Sequence, residues 1–270
     1  MNDDSTNAAA TQTPLSPPLV IDGREVRLPV HVRDCRSIFA AFPVPAAAAQ
    51  ALIDSNGPTG LDAAVLWPGR ALCVICAIDY RDSDLGAYHE VGINILARER
   101  SGASGLFSSL RDALKSRLGL YVHYLPVTAT FTRDAGVALW GYPKVKNEID
   151  LREDEKTTTA TLRADGQHIL TLTVKTGGRR SAKRVPMPSW SFTGGTLRRI
   201  PSHLTAEHLG LRFGGADLQL GDHPIATQLR SLGLPRPAFM TISAKLETLF
   251  HAAEPVLPAW IVPPVPIART

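Results

Sequence analysis

Tyr88-His89-Glu90-Val91-Gly92-Ile93-Asn94-Ile95 is the stretch on which the fold turns. Its strict alternation marks a strand. His89, Val91, Ile93 and Ile95 share one face, while Tyr88, Glu90, Gly92 and Asn94 line the other. A polar face of this kind has two physical homes. It can be the wetted surface of a sheet, or the polar lining of a cavity inside a barrel. The alternation is the same in both.

Working outward, Ala71 to Tyr80 is an almost continuous apolar run that reads as a buried strand, joined to Tyr88–Ile95 by the turn Asp82-Ser83-Asp84-Leu85-Gly86. Upstream, Asp22-Gly23 between Leu19-Val20-Ile21 and Arg24-Glu25-Val26-Arg27-Leu28-Pro29-Val30 is a hairpin signal. Alternation there puts Arg24 with Val26, Leu28 and Val30, and leaves Glu25, Arg27 and His31 on the wetter side. Arg24 then either snorkels to the rim of an apolar face or presents its fork to a carboxylate. Pro45 opens a short alanine-rich helix to about Asp54. Ser104 caps an amphipathic helix carrying Phe107, Leu110, Leu114 and Leu118, which Gly119 closes. Tyr121 to Phe131 reads as β-like, broken by Pro126, and Asp165-Gly166 joins two further strands, Thr157–Ala164 and Gln167–Lys175. A short helix within Leu220–Leu232 and a last strand, Ala238–Leu246, complete the pattern. Many short strands with hairpin turns, few helices and no βαβ rhythm predict an α+β, mostly antiparallel domain over residues 19–256. Residues 1–18 read as a disordered tail and 257–270 as a proline-rich one.

Trp140-Gly141-Tyr142-Pro143-Lys144-Val145-Lys146 carries the chemistry. Proline fixes its own φ and pushes Tyr142 into extended geometry, and Gly141 permits a turn or close approach. An amine on so rigid and apolar a mount can be held out of water and become a nucleophile toward carbonyls. The same four residues also suit an ordinary solvated turn.

Composition narrows the classes. The 270 residues are 44% hydrophobic and 20% charged, as in a soluble globular protein. A balance of 29 Lys+Arg against 25 Asp+Glu gives no argument for nucleic acid. Lys175 to Arg184 is basic but lacks interleaved aromatics and reads as a solvated loop. Gly214-Gly215 lacks the remainder of a dinucleotide fingerprint. Three cysteines provide no disulfide framework and suit a cytoplasmic protein. Cys73 and Cys76 lie i, i+3 on a strand, so their sulfurs diverge and both are expected to pack in the core, without a metal. No signal peptide or membrane span is expected.

Four places together resemble the acetoacetate decarboxylase family. They are Gly141-Tyr142-Pro143-Lys144, Tyr88-His89-Glu90 after Leu85-Gly86, Gly23-Arg24-Glu25, and Asp222-His223-Pro224 followed by Leu232-Gly233-Leu234-Pro235. They run in order from about Val20 to Val256. The resemblance implies a closed, cone-like antiparallel β-barrel with Glu90 in its lumen. It also implies a homo-oligomer acting on a small keto acid without a metal or cofactor. Lys144 would be the Schiff-base lysine, Glu90 the catalytic carboxylate, and Arg24 a partner at the mouth that holds Glu90 ionised or steers the substrate. The implied activity is a lyase that decarboxylates acetoacetate or a related β-keto acid through an iminium. Schiff-base aldol, dehydration or hydration chemistry on another oxo acid, and a barrel that only binds a small ligand, are the alternatives. One departure is plain. Well-known members of that family carry two consecutive lysines, whereas Val145 stands in the second place here and Lys146 follows it.

Overall fold

A computed structural model describes residues 18–100, 109, 112 and 117–256. The expected tails and most of the expected Ser104–Leu118 helix lie outside the described residues. A two-stranded hairpin comes first, β1 (Leu19–Ile21) with β2 (Arg24–Val26), and Asp22 and Gly23 at its tip both take positive φ. Next come β3 (Val30–Pro45), α1 (Ala46–Ile53), β4 (Leu61–Ala63), β5 (Arg70–Ser83), β6 (Tyr88–Glu99) and β7 (Gly119–Val127). After these, α2 (Thr130–Trp140) leads to β8 (Lys144–Lys146), β9 (Glu148–Glu153), β10 (Thr157–Ala164) and β11 (Gln167–Lys175). The remainder is β12 (Arg180–Pro186), β13 (Ser189–Thr193), β14 (Thr196–Ile200), β15 (Ser202–Phe213), β16 (Ala216–Leu220), α3 (Pro224–Ser231), β17 (Met240–Phe250) and β18 (Glu254–Pro255).

The large sheet runs β12-β15-β17-β3-β5-β6-β7-β13-β14-β18, with β4 added to β6 and β8 to β7. Most of its pairings are antiparallel; β7 also pairs in parallel with β13 and with β8. A four-stranded sheet, β16-β11-β10-β9, covers its outer face. Between them lies the main core. Phe42, Cys73, Ile75, Val91, Ile93 and Ile95 from the large sheet meet Ala160, Leu162, Leu170 and Leu172 from the small one, and Leu229 of α3 joins them. The alternation in β6 is thereby realised. Its apolar face packs into this core, and Tyr88, Glu90 and Asn94 line a cavity on the opposite, inner face.

The expected closed barrel is corrected to a curled, open half-barrel. Its ends are β12 and β18, and no ladder joins them among the described residues. The edge chemistry explains this. β12 is an exposed strand, bulged twice against β15, with Arg184 at positive φ, and such an edge discourages further pairing. The second half of the basic stretch expected as a loop, Arg180 to Arg184, therefore belongs to this edge strand. On the open side the C-terminal end of α2 and Gly141 do the bridging. Trp140 Nε1 donates to His251 O, just beyond β17, at 2.8 Å, while Ser191 Oγ and Thr193 Oγ1 of β13 donate to Trp140 O and Gly141 O, each at 2.6 Å.

Candidate active site

Three elements deliver the site. Glu90 comes from β6 and Tyr80 from β5, where Tyr80 stands directly opposite Tyr88 and Ile78 opposite Glu90. Lys144 opens β8, which is pinned in parallel register to β7 with Lys144 beside Leu125. The chain reaches it through α2, which ends at Gly141 in the left-handed conformation (φ 63°), its N–H donating to Val137 O at 2.9 Å. That is a glycine C-cap, followed by the stiff Tyr142-Pro143 step. Tyr142 is itself locked, its hydroxyl 2.6 Å from Ser189 Oγ.

This geometry turns Lys144 inward. Its side chain is 3% exposed and that of Glu90 8%, and Nζ lies 2.8 Å from Glu90 Oε2. The other carboxylate oxygen, Oε1, accepts from the Tyr80 hydroxyl at 3.1 Å. Nζ also stands 5.2 Å from the centroid of the Tyr88 ring, within cation–π range, and that ring stacks on Tyr80 at 4.3 Å. The cavity has a volume of about 80 Å³. Its walls are largely hydrocarbon, including Val32, Phe39, Ile78, Val122, Trp140 and Phe250. Among the described residues, Lys144 and Glu90 are the only charged groups in its lining.

Electrostatics follow from this burial. Desolvation first, and the Glu90 charge second, push the Tyr80 and Tyr88 phenols well above the usual tyrosine range. Burial likewise raises Tyr142. Cys76 is pushed up to about 12, by burial first and then by Glu90. Both Cys73 and Cys76 are buried, as expected. Cys73 does pack in the main core, but Cys76, on the opposite face of β5 as i, i+3 spacing requires, lines the cavity.

Lys144 and Glu90 are thus brought together. Arg24 is not. It is exposed on β2, its guanidinium carbon 4.7 Å from the Phe131 ring centroid, outside the cavity lining. Phe131 belongs to the apolar shell around the cavity-side cluster, so Arg24 covers that shell from outside. Lys146 is exposed and lines a separate open groove with Asp150 and Arg163, so its ammonium does not enter the cavity beside Lys144. Asn94 lies on the Glu90 face as expected, whereas Tyr80 and Gly136 are the site residues that sequence reasoning left unused. Parity with Ile78 could have placed Tyr80 on the Glu90 face; nothing local marks Gly136.

A family model described as acetoacetate decarboxylase (ADC) matches residues 12–251. The chain belongs to the acetoacetate decarboxylase family. Solved structures of similar fold include the acetoacetate decarboxylase of Legionella pneumophila subsp. pneumophila str. Philadelphia 1, at 16% identity and a TM-score of 0.60, covering 86% of this chain and 88% of that one. The enduracididine biosynthesis enzyme MppR complexed with pyruvate aligns at 16% identity and 0.57, over 93% of this chain and 94% of that one. An acetoacetate decarboxylase-like enzyme from Sphingomonas wittichii RW1 aligns at 13% and 0.56, over 87% and 96%. A search of the curated proteins finds no match. Among the described residues no helix is long and apolar enough to cross a membrane.

Proposed function

We propose that this member of the acetoacetate decarboxylase family is a cofactor-independent Schiff-base lyase that decarboxylates a small β-keto acid through Lys144. The observation that carries the reading is the buried Lys144 amine 2.8 Å from Glu90 on the wall of an apolar cavity. In this reading Glu90 Oε2, 2.8 Å away, takes a proton from Nζ, and the neutral amine then adds to the ketone carbon. Loss of water gives an iminium. The bond to the carboxyl carbon breaks, carbon dioxide leaves, and the electron pair moves into the iminium to give an enamine. Protonation at carbon and hydrolysis release a methyl ketone and free Lys144. Glu90 serves as the local proton store in both directions.

The lining favours decarboxylation over chemistry that retains the carboxylate. Among the described residues it offers an incoming carboxylate no cation other than Lys144, which is itself consumed as the iminium. A carboxylate held against hydrocarbon loses hydration that neutral carbon dioxide does not need, so its departure is favoured. Arg24 acts from outside, steering the anion toward the mouth. A second reading, iminium chemistry on a pyruvate-like oxo acid, draws on the structural likeness to MppR complexed with pyruvate and on Val145 in place of a second lysine.

Borohydride reduction in the presence of acetoacetate, followed by peptide mass spectrometry, tests the common step, and Lys144 is the expected site of the adduct. Labelling at another lysine alone would overturn the assignment. Carbon dioxide release from β-keto acids, set against turnover of pyruvate with aldehydes, then separates the two chemistries.

A further inference from the structure

The two oxygens of Glu90 have different partners. Oε2 faces the Lys144 amine at 2.8 Å and Oε1 accepts from the Tyr80 hydroxyl at 3.1 Å. The phenol is fixed independently of the lysine. Tyr80 and Tyr88 are directly opposed across β5 and β6, their rings stacked at 4.3 Å with planes 15° apart. Glu90 is the diagonal neighbour of Tyr80 in the same ladder, a separation that a tyrosine side chain spans. Among the partners found for Glu90, the phenol is the one the reaction does not alter. Once Lys144 becomes an iminium, its nitrogen carries a substrate and no longer holds the carboxylate as an ammonium does. We propose that Tyr80 is a positioning residue, whose hydroxyl anchors Oε1 so that Oε2 stays aimed at the reacting nitrogen through the proton transfers that follow carbinolamine formation. This role rests on the Schiff-base reading above.

Three supports are independent of that hydrogen bond. Tyr80 is buried, only 4% exposed, so bulk water does not replace its hydroxyl as the donor to Oε1. Burial and the adjacent carboxylate also keep the phenol protonated over the working range of pH, so it remains a donor. The stacked Tyr88 ring stops Tyr80 from swinging away when Glu90 changes protonation state.

The test is a double-mutant cycle of Tyr80→Phe with Glu90→Gln, with borohydride trapping at Lys144 run on every variant. Tyr80→Phe keeps the ring and its stacking, so thermal melting should stay close to that of the wild type. The expected result is a fall in kcat of about 10- to 100-fold, the range for losing a hydrogen bond to a charged group. KM should stay within about threefold, because the loss falls on steps after binding. Trapping at Lys144 should persist. In the Glu90→Gln background the same substitution should cost little further, since the carboxylate it positions is gone. A purely structural role would give the same loss in both backgrounds, and that result, or unchanged kcat in Tyr80→Phe, would overturn the proposal. If the wild type forms no adduct at Lys144, the Schiff-base reading falls and the role of Tyr80 falls with it. If the wild type is labelled and Tyr80→Phe is indifferent, only the positioning role is lost.

Discussion

At Lys144 the requirement for a reactive amine and the cost of burying charge meet in one side chain. With Nζ 2.8 Å from Glu90 and both groups out of water, each is the other's compensation. Lys144→Arg keeps a cation near the carboxylate but not an amine able to form an imine, so borohydride labelling and turnover should both vanish, as read by mass spectrometry and carbon dioxide release. Lys144→Met should also abolish labelling. It leaves Glu90 buried without its cation, a loss of about 3–5 kcal/mol where a buried pair is broken by removing one partner. Adding Glu90→Gln should restore most of that loss, measured as the urea midpoint of the double variant against the single one. The local sequence announced this residue well, because Gly141 and Pro143 constrain the backbone whatever surrounds them. For Tyr80, alternation along β5 could suggest the face but not the partner, because its contact with Glu90 depends on the register that sets it opposite Tyr88.

Among elements, α2 departs from the expected strand, as β12 departs from the expected loop. Thr128, Thr130, Phe131 and Thr132 are β-branched or aromatic and extend the β signal of β7, so the sequence was read as strand to Phe131. The helix forms because Thr132, Ala135, Gly136 and Trp140 make a buried stripe at helical spacing, a tertiary gain that overrides propensity. Gly136 is the price of bringing the helix close to the lysine. A Cβ there would sit 2.5 Å from Lys144 Cδ and 2.6 Å from Cε. Gly136→Ala should therefore separate stability from activity. Helix propensity improves by about 1 kcal/mol, offsetting the crowding, while displacement of the lysine stem by about 1 Å costs turnover about 100-fold. Thermal melting and the rate of borohydride trapping, measured on the same preparation, check both halves.

Over the whole molecule, the cavity lies where one sheet curls: a second sheet with α3 takes its outer face, and the inner face packs its own buried cluster with α2 around the site. That burial gives the fold an alkaline weakness. Tyr80, Tyr88 and Tyr142 all have their proton affinities raised from the ordinary value of 10.0. Above pH 10 the unfolded chain sheds protons that the native state keeps, so stability is complete below that pH and falls as it rises. Each tyrosine contributes a slope of about 1.4 kcal/mol per pH unit. Urea midpoints between pH 9 and 11 should fall steeply, and Tyr88→Phe should make that fall shallower by about one tyrosine's share.

The sequence alone determined the strand-rich class, the faces of β6, most hairpins and the lysine on its proline mount, because alternation, turn chemistry and proline stiffness act over a few residues. Tertiary structure decided that the sheet stays open, that Glu90 faces a cavity and not solvent, that Cys76 joins its wall, and that Lys146 turns away from it. Those outcomes depend on which distant strand or helix covers a face, and no local spacing encodes that.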